Sequence, residues 1–433
     1  YMQDLNQALC TTTPMTVVDK RDNKEYTIAK LPDGNCWMTQ NLRYQGDTVG
    51  STSSTTSWVM KSTTSNISTD TTMTMIDLTA GDSYADARYH VATSGQVPSG
   101  ASYTAEDMGV WYNYAAASAM TITGGSNTNA QVYDICPKGW RLPTNSEQSG
   151  ITSYASTYSP VAGGRYYNGT LNDTGNGYWW SSTSYSTTFR YYLYWNGSSL
   201  NTDGNNRGRG LYVRCVLNDP RTISDITTMQ EMSPQIAAKM NNGDTATLKD
   251  SRDGQDYTIA KINGNVWMTQ NLRFIGKTND PAGTMTLEPT TSNVANTTAV
   301  SYTDLTASSY DDAKIHNSGN TTNGVWYNYA AASAMTITGA SNSTTAVYDV
   351  CPAGWRLPTD TEQSSITSYG SAFHPVTGGY YLNGVGDPGY GYWWASTAYS
   401  ATYRRFLSYY NSTFNVGTTG YRERGVNIRC VAK

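Results

Sequence analysis

The sequence predicts an α+β fold: two tandem, strand-rich domains with short helices and long loops, held by disulfides. Three observations predict it. Residues 109–124 (GVWYNYAAASAMTITG) recur letter for letter at 324–339, and WMTQNLR at 37–43 recurs at 267–273. The cysteine spacing also repeats: 215 − 136 = 79 and 430 − 351 = 79. Finally, short apolar-polar alternations bounded by turn residues dominate both copies, the period of half-buried strands.

The repeat sets the domains at 1–219 and 220–433. The joining stretch LNDPRTISDITT contains Pro220, a boundary signal. Each copy opens with a strand pair. Glu25–Lys30 faces residues 35–41 across Pro32-Asp33-Gly34, and residues 256–261 face 265–271 across Asn263-Gly264, which reads as a β-hairpin. Ser/Thr-rich stretches follow at 46–105 and 276–323. They show few periodic apolar positions and differ in length, so they read as surface loops. The Ala-rich run 111–120 predicts a short helix. Thr144-Asn145-Ser146-Glu147 and Thr359-Asp360-Thr361-Glu362 are capping boxes, predicting helices to about Tyr154 and Tyr369. The tail alternates as strands through Phe189, Tyr191, Leu193 and Trp195, and again at 211–216.

The first copy has two further cysteines, Cys10 and Cys36, where the second has Ala237 and Val266. Their joint loss predicts the pair Cys10–Cys36, leaving Cys136–Cys215 and Cys351–Cys430. Reduced buried thiols are the alternative, although no CxxC metal spacing occurs. Disulfides persist in oxidising compartments, so the expected location is extracellular or at the cell surface. The chain begins at Tyr1 rather than Met, which leaves room for a removed leader or anchor.

Composition narrows the function. Charged residues are 14% and the net charge is −4, without the basic footprint of a nucleic-acid binder. No run of about 18 apolar residues exists, so no membrane span is expected. Tyrosine outnumbers phenylalanine 35 to 5, beside abundant Ser, Thr, Asn and Gly. Tyr joins apolar area to a hydroxyl suited to wet contacts. The bland reading is a solvated tyrosine-rich sheet exterior.

The motifs CPxGWRLPT, WWSST or WWAST, a closing GxxxRCV, and YTIAKLPDGNCWMTQNLRY resemble the FISUMP family, the major paralogous domain of bacterial surface proteins. GWRLPTxxE is also similar to the motif of sulfatase-modifying enzymes and of retroelement-diversified variable proteins. The resemblance implies a C-type-lectin-like fold with termini close together. Lectin calcium sites use Glu-Pro-Asn or Gln-Pro-Asp with Trp-Asn-Asp. Here only Trp195-Asn196-Gly197 and Tyr409-Tyr410-Asn411 stand in the tails, so no metal or cofactor is expected.

Candidate catalytic groups are few. His90 and His316 each follow an acid by four residues, Asp86 and Asp312, and read as pairs on a helix surface; His374 is matched by Ser159. Ser182 and Ser396 lack a repeated His, so no triad assembles. Asp134, Glu147, Asp349 and Glu362 are accounted for by capping and by pairing with Arg141, Arg356, Arg214 or Arg429. The chain is not expected to be an enzyme.

The copies diverge most at 184–209 against 398–424. The first copy shows Tyr191, Tyr192, Tyr194, Trp195 and Asn196 where the second shows Arg405, Phe406, Ser408, Tyr409 and Tyr410, while Leu193 matches Leu407 as an inward position. In diversified relatives of the lectin fold the corresponding tail binds ligand, which marks this face as the candidate site; surface drift is the rival explanation. Two functions follow. The first is a non-enzymatic structural or adhesive protein whose partners are other copies of itself, as a surface or filament subunit. The second is a monomeric module recognising a surface glycan or protein through the tyrosine-rich C-terminal face. Trp140, Trp179, Trp355 and Trp393 are expected in the core, and residues 1–10 are expected to be ordered by contact.

Overall fold

The chain forms two compact units, Tyr1–Asp219 and Pro220–Lys433. The structure, a computed structural model, describes all residues except 8, 46–54, 61–70, 130, 132, 277–283, 288–297, 340 and 347, with the backbone alone at 55–60, 71–72, 80, 284–287 and 298–299. The sequons at Asn66 and Asn296 lie outside the described residues.

In the first unit the hairpin Glu25–Lys30 and Cys36–Met38 sits inside a five-stranded sheet. The strand order is Met15–Val18, Glu25–Lys30, Cys36–Met38, Val216–Leu217, Trp140–Arg141, antiparallel throughout. The second unit has the same order in Thr245–Lys249, Asp256–Ile262, Asn265–Met268, Val431–Ala432 and Trp355–Arg356. Alternation explains the burial of this sheet on both faces. Tyr26, Ile28 and Met38 pack in one apolar cluster, while Ala29, Leu31 and Trp37 pack in another. The final strand of each unit pairs with its hairpin, Trp37 opposite Val216 and Trp267 opposite Val431.

Trp140, Trp179, Trp355 and Trp393 are all buried. The Trp140 indole donates to the Met2 carbonyl at 2.9 Å, and Trp355 to Met229 at 2.8 Å. Residues near the start of the chain are thus fixed by the core as well as by Cys10. Three disulfides join Cys10 to Cys36, Cys136 to Cys215 and Cys351 to Cys430. At the missing bond, Val266 is buried with Ala237 packed against the same cluster.

The WMTQNLR and RCV motifs meet in one buried hub. Asn41 Oδ1 accepts from Trp179 Nε1 at 2.7 Å and from Arg214 Nε at 2.8 Å, while its amide donates to the Met108 carbonyl. Asn271 repeats this with Trp393 at 2.8 Å and Arg429 at 2.9 Å. A buried guanidinium without a carboxylate is tolerable only when neighbouring acceptors satisfy it. Arg214 Nη2 accordingly donates to the Ser159 carbonyl at 3.0 Å, and Arg429 Nη2 to that of His374 at 2.8 Å.

Several expectations are corrected. The capped helices are Asn145–Gly150 and Asp360–Ser365, shorter than expected. Gly150, Thr152 and Ser153 are weak helix formers, and Thr152 Oγ1 turns back to the Ser149 carbonyl. The run at 111–120 is part strand: Val110–Tyr112 pairs with Ala87–Val91, and the helix spans only Tyr114–Ala117, capped by the Asn113 side chain. Bulky Val-Trp-Tyr suits a pleated surface better than a helix. The Ser/Thr-rich stretch is not all loop. Thr71–Asp77 runs parallel to Ala87–Val91, with Met73 and Met75 buried in alternation, and Thr303–Asp304 pairs with Lys314–Asn317 in the second unit.

Candidate functional site

The divergent tail of each unit forms a three-stranded antiparallel sheet. The strands are Gly177–Ser184, Phe189–Trp195 and Leu200–Asn206, then Gly391–Ala398, Tyr403–Tyr410 and Thr413–Tyr421. The register puts Trp179 opposite Leu193 and Trp393 opposite Leu407, anchoring both middle strands to the core.

The structure divides the predicted residues between two faces. Tyr192 is buried with Tyr178 nearby, ring centroids 5.6 Å apart, so it cannot face a partner; Leu193 therefore does not have two outward neighbours. Tyr194 stacks on Tyr178 at 5.2 Å, and burial pushes the Tyr178 hydroxyl up to about 12, keeping it a neutral donor. Tyr191 meets Tyr185 edge-on at 4.9 Å. Trp195 packs against the cluster that holds Trp179 and Leu193. Asn196 is used locally, its Oδ1 accepting from the Ser198 and Ser199 amides. In the second unit Arg405 pairs with Asp360 at 3.5 Å and lies over the Tyr399 ring. Phe406 packs edge-on against Tyr392, Tyr409 against Phe414, and Tyr410 stacks on Tyr390 at 4.1 Å.

Sequence reasoning missed four exposed aromatics of the tail sheets and their connections: Tyr185, Phe189, Tyr399 and Tyr421. Tyr185 joins Phe189 and Tyr191 in one surface cluster. Its ring crosses Gly204 so closely that a Cβ there would meet it at 2.7 Å, so the cluster depends on a glycine opposite Tyr191. In the second unit Tyr403 and Tyr421 pair across neighbouring strands, with ring centroids 4.4 Å apart. The available signal was the Tyr that follows WWSST and WWAST by two residues in both copies.

The histidines are placed differently from the expectation. His90 and His316 lie on strands, not on a helix surface. Their acidic partners are Asp77 (3.2 Å) and Asp304 (3.0 Å), because Asp86 is taken by Ser83 and Arg88. Each ring stacks on a tyrosine, Tyr166 or Tyr381. Ser182 and Ser396 donate to the Pro143 and Pro358 carbonyls. Glu147 caps Thr144 and pairs with Arg141 at 2.6 Å, which holds its carboxyl below the usual range against the cost of burial. Asp134 accepts the Cys136 and Leu142 amides. Among the described residues no group of three His, Cys, Asp or Glu could hold a metal ion, and no helix is long and apolar enough to cross a membrane.

Residues 260–372 match the model of the Fibrobacter succinogenes major domain. The match runs within the second unit, from its hairpin to the short helix Gly370–Phe373, and supports the FISUMP resemblance. That family is one of surface proteins, and with the disulfides it fits an extracellular or surface location. No curated protein and no solved structure matches the chain.

Proposed function

We propose that the chain is a non-enzymatic extracellular structural or adhesive protein, a self-assembling surface or filament subunit built of two C-type-lectin-like domains. The observation that carries this is the exposure of large aromatics on both tail sheets: Tyr185 53%, Phe189 37%, Tyr399 58%, Tyr410 47% and Tyr421 38%. Clustered rings of this type are the usual anchors of protein contacts. The low charge of the chain leaves little repulsion between copies. The lectin-like part of the reading is supported by the pairing of each unit's last strand with its first hairpin.

Light scattering and electron microscopy of the purified chain test the assembly. Concentration-dependent oligomers or filaments are expected, and Tyr185→Ser/Phe189→Ser with Tyr399→Ser/Tyr421→Ser should abolish them. A chain that stays monomeric at all concentrations refutes self-assembly. The flat Tyr390–Tyr410 stack favours a second reading, a module that recognises a glycan or protein through this face. Isolated particles whose ligand binding is lost in Tyr410→Ser would support it.

A further inference from the structure

A groove lies at the same place in each unit, beside the N-terminal hairpin. In the first unit it measures about 530 Å³ and is lined by Thr12, Pro14, Thr27, Thr39, Thr157 and Ser159. In the second it measures about 460 Å³, and Gly243, Thr245, Thr258, Thr269, Ala372 and His374 occupy the corresponding positions. The sheet register fixes the correspondence: Met15 faces Ile28 and Ala246 faces Ile259. Both volumes fall in the range of small-ligand sites, roughly 300–1,000 Å³.

The same bonds build the two floors. Thr39 Oγ1 donates to the Thr27 carbonyl and Thr269 Oγ1 to that of Thr258, each at 3.1 Å. Gln40 and Gln270 accept the Thr27 and Thr258 amides. The wall is equally fixed. Ser159 and His374 sit in the left-handed region, at φ 52° and 50°, with their carbonyls held by buried Arg214 and Arg429. Each is the left-handed cap that ends a short helix, Ala155–Tyr158 or Gly370–Phe373, so helix termination sets the same rim backbone in both grooves. The backbone there is constant while the side chain changes from hydroxyl to imidazole, the pattern of a specificity position.

The lining states the ligand chemistry. Each groove offers hydroxyls and one tyrosine ring, Tyr103 in the first and Tyr369, 40% exposed, in the second. Its charged groups are already engaged: Asp107 accepts from Thr104, and Lys261 Nζ donates to the Ala237 carbonyl. We propose that each groove is a binding site for a short, neutral oligosaccharide, with the ring against a pyranose face and the threonine hydroxyls exchanging hydrogen bonds with the sugar. Asp107 disfavours carboxylated sugars in the first groove.

Calorimetric titration of the full chain with mannohexaose, xylohexaose and hexagalacturonate tests this, with an unrelated hexapeptide as control. At least one neutral hexaose should bind, and Tyr103→Ser/Tyr369→Ser should weaken it at least tenfold while leaving the oligomeric state unchanged. Hydroxyl-radical footprinting of the unaltered chain guards against a misfolded variant: the sugar should protect Tyr103 and Tyr369. Absence of binding by both neutral sugars, binding without protection of these rings, or tighter binding of the peptide overturns the proposal. None of these results touches self-assembly, which is read from the tail-sheet variants.

Discussion

The Trp140 indole fills the core and donates its N–H to a backbone carbonyl. Trp140→Ala opens a cavity and orphans that acceptor, so unfolding free energy in denaturant should fall by about 3–5 kcal/mol. A loss under about 1 kcal/mol would be surface behaviour and would contradict the packing. Asp33 is a subtler case. Although the residue keeps some exposure, its carboxylate is enclosed by the Asn35 and Trp37 side chains, and Trp37 Nε1 donates to it at 3.0 Å. Burial pushes this carboxyl up to about 6 from an ordinary 3.8. The folded state therefore binds more protons between those values, and this group's contribution to stability falls as pH rises from about 4 to about 6. Asp33→Asn should remove that part of the slope in thermal melts across this window. Asp253, pushed up to about 6 by burial and by neighbouring Asp250, keeps a residual slope from the second unit. An unchanged profile in Asp33→Asn would show that the carboxylate is better solvated than its contacts imply.

At the scale of elements, local chemistry was legible where one residue type does one job. The capping box was readable because Thr144 and Glu147 satisfy each other's orphan groups, with Thr144 Oγ1 accepting from the Glu147 amide at 3.2 Å. Thr144→Ala should cost about 1 kcal/mol in thermal unfolding, rising towards 2 because the Arg141 pair is anchored to the same glutamate. No measurable loss would mean that the ion pair alone holds this turn. The hairpins were readable from turn residues between alternating runs. The strand in the first Ser/Thr-rich stretch was not, because Met73 and Met75 give too short an apolar alternation, and its parallel partner lies ten residues and more downstream. The tail sheet was recognised as strands but read as one-sided. Its middle strand is buried on alternate faces, Tyr192 in one cluster and Leu193 in another, so a list of neighbouring aromatics could not be one binding face. Tyr185, which leads the exposed cluster, lies just outside the periodic run, and its only signal was its recurrence as Tyr399 after the shared WWSST/WWAST motif.

At the scale of the molecule, the repeat made covalent architecture legible because it supplies an internal comparison. Both units carry the long-range bond across 79 residues, while only the first carries the bond across 26. Closing a loop of that shorter length removes unfolded-state entropy worth on the order of 3–4 kcal/mol. The hairpin it clips is already held by its ladder and by the Lys30 amide donating to the Thr11 carbonyl at 2.7 Å. The second unit keeps its hairpin with an Ala and a Val at these positions, so the bond adds stability rather than specifying topology. Cys10→Ala/Cys36→Val should therefore leave the circular dichroism spectrum of the chain unchanged. Calorimetry should show the first unit's unfolding destabilised by up to about 3–4 kcal/mol, less whatever the new apolar contact returns, with the second unit's unaffected. A variant that fails to fold would make the bond a requirement of the first unit's topology. A variant as stable as the parent would mean that the unfolded first unit is already compact around its hairpin, so that the cross-link removes no freedom.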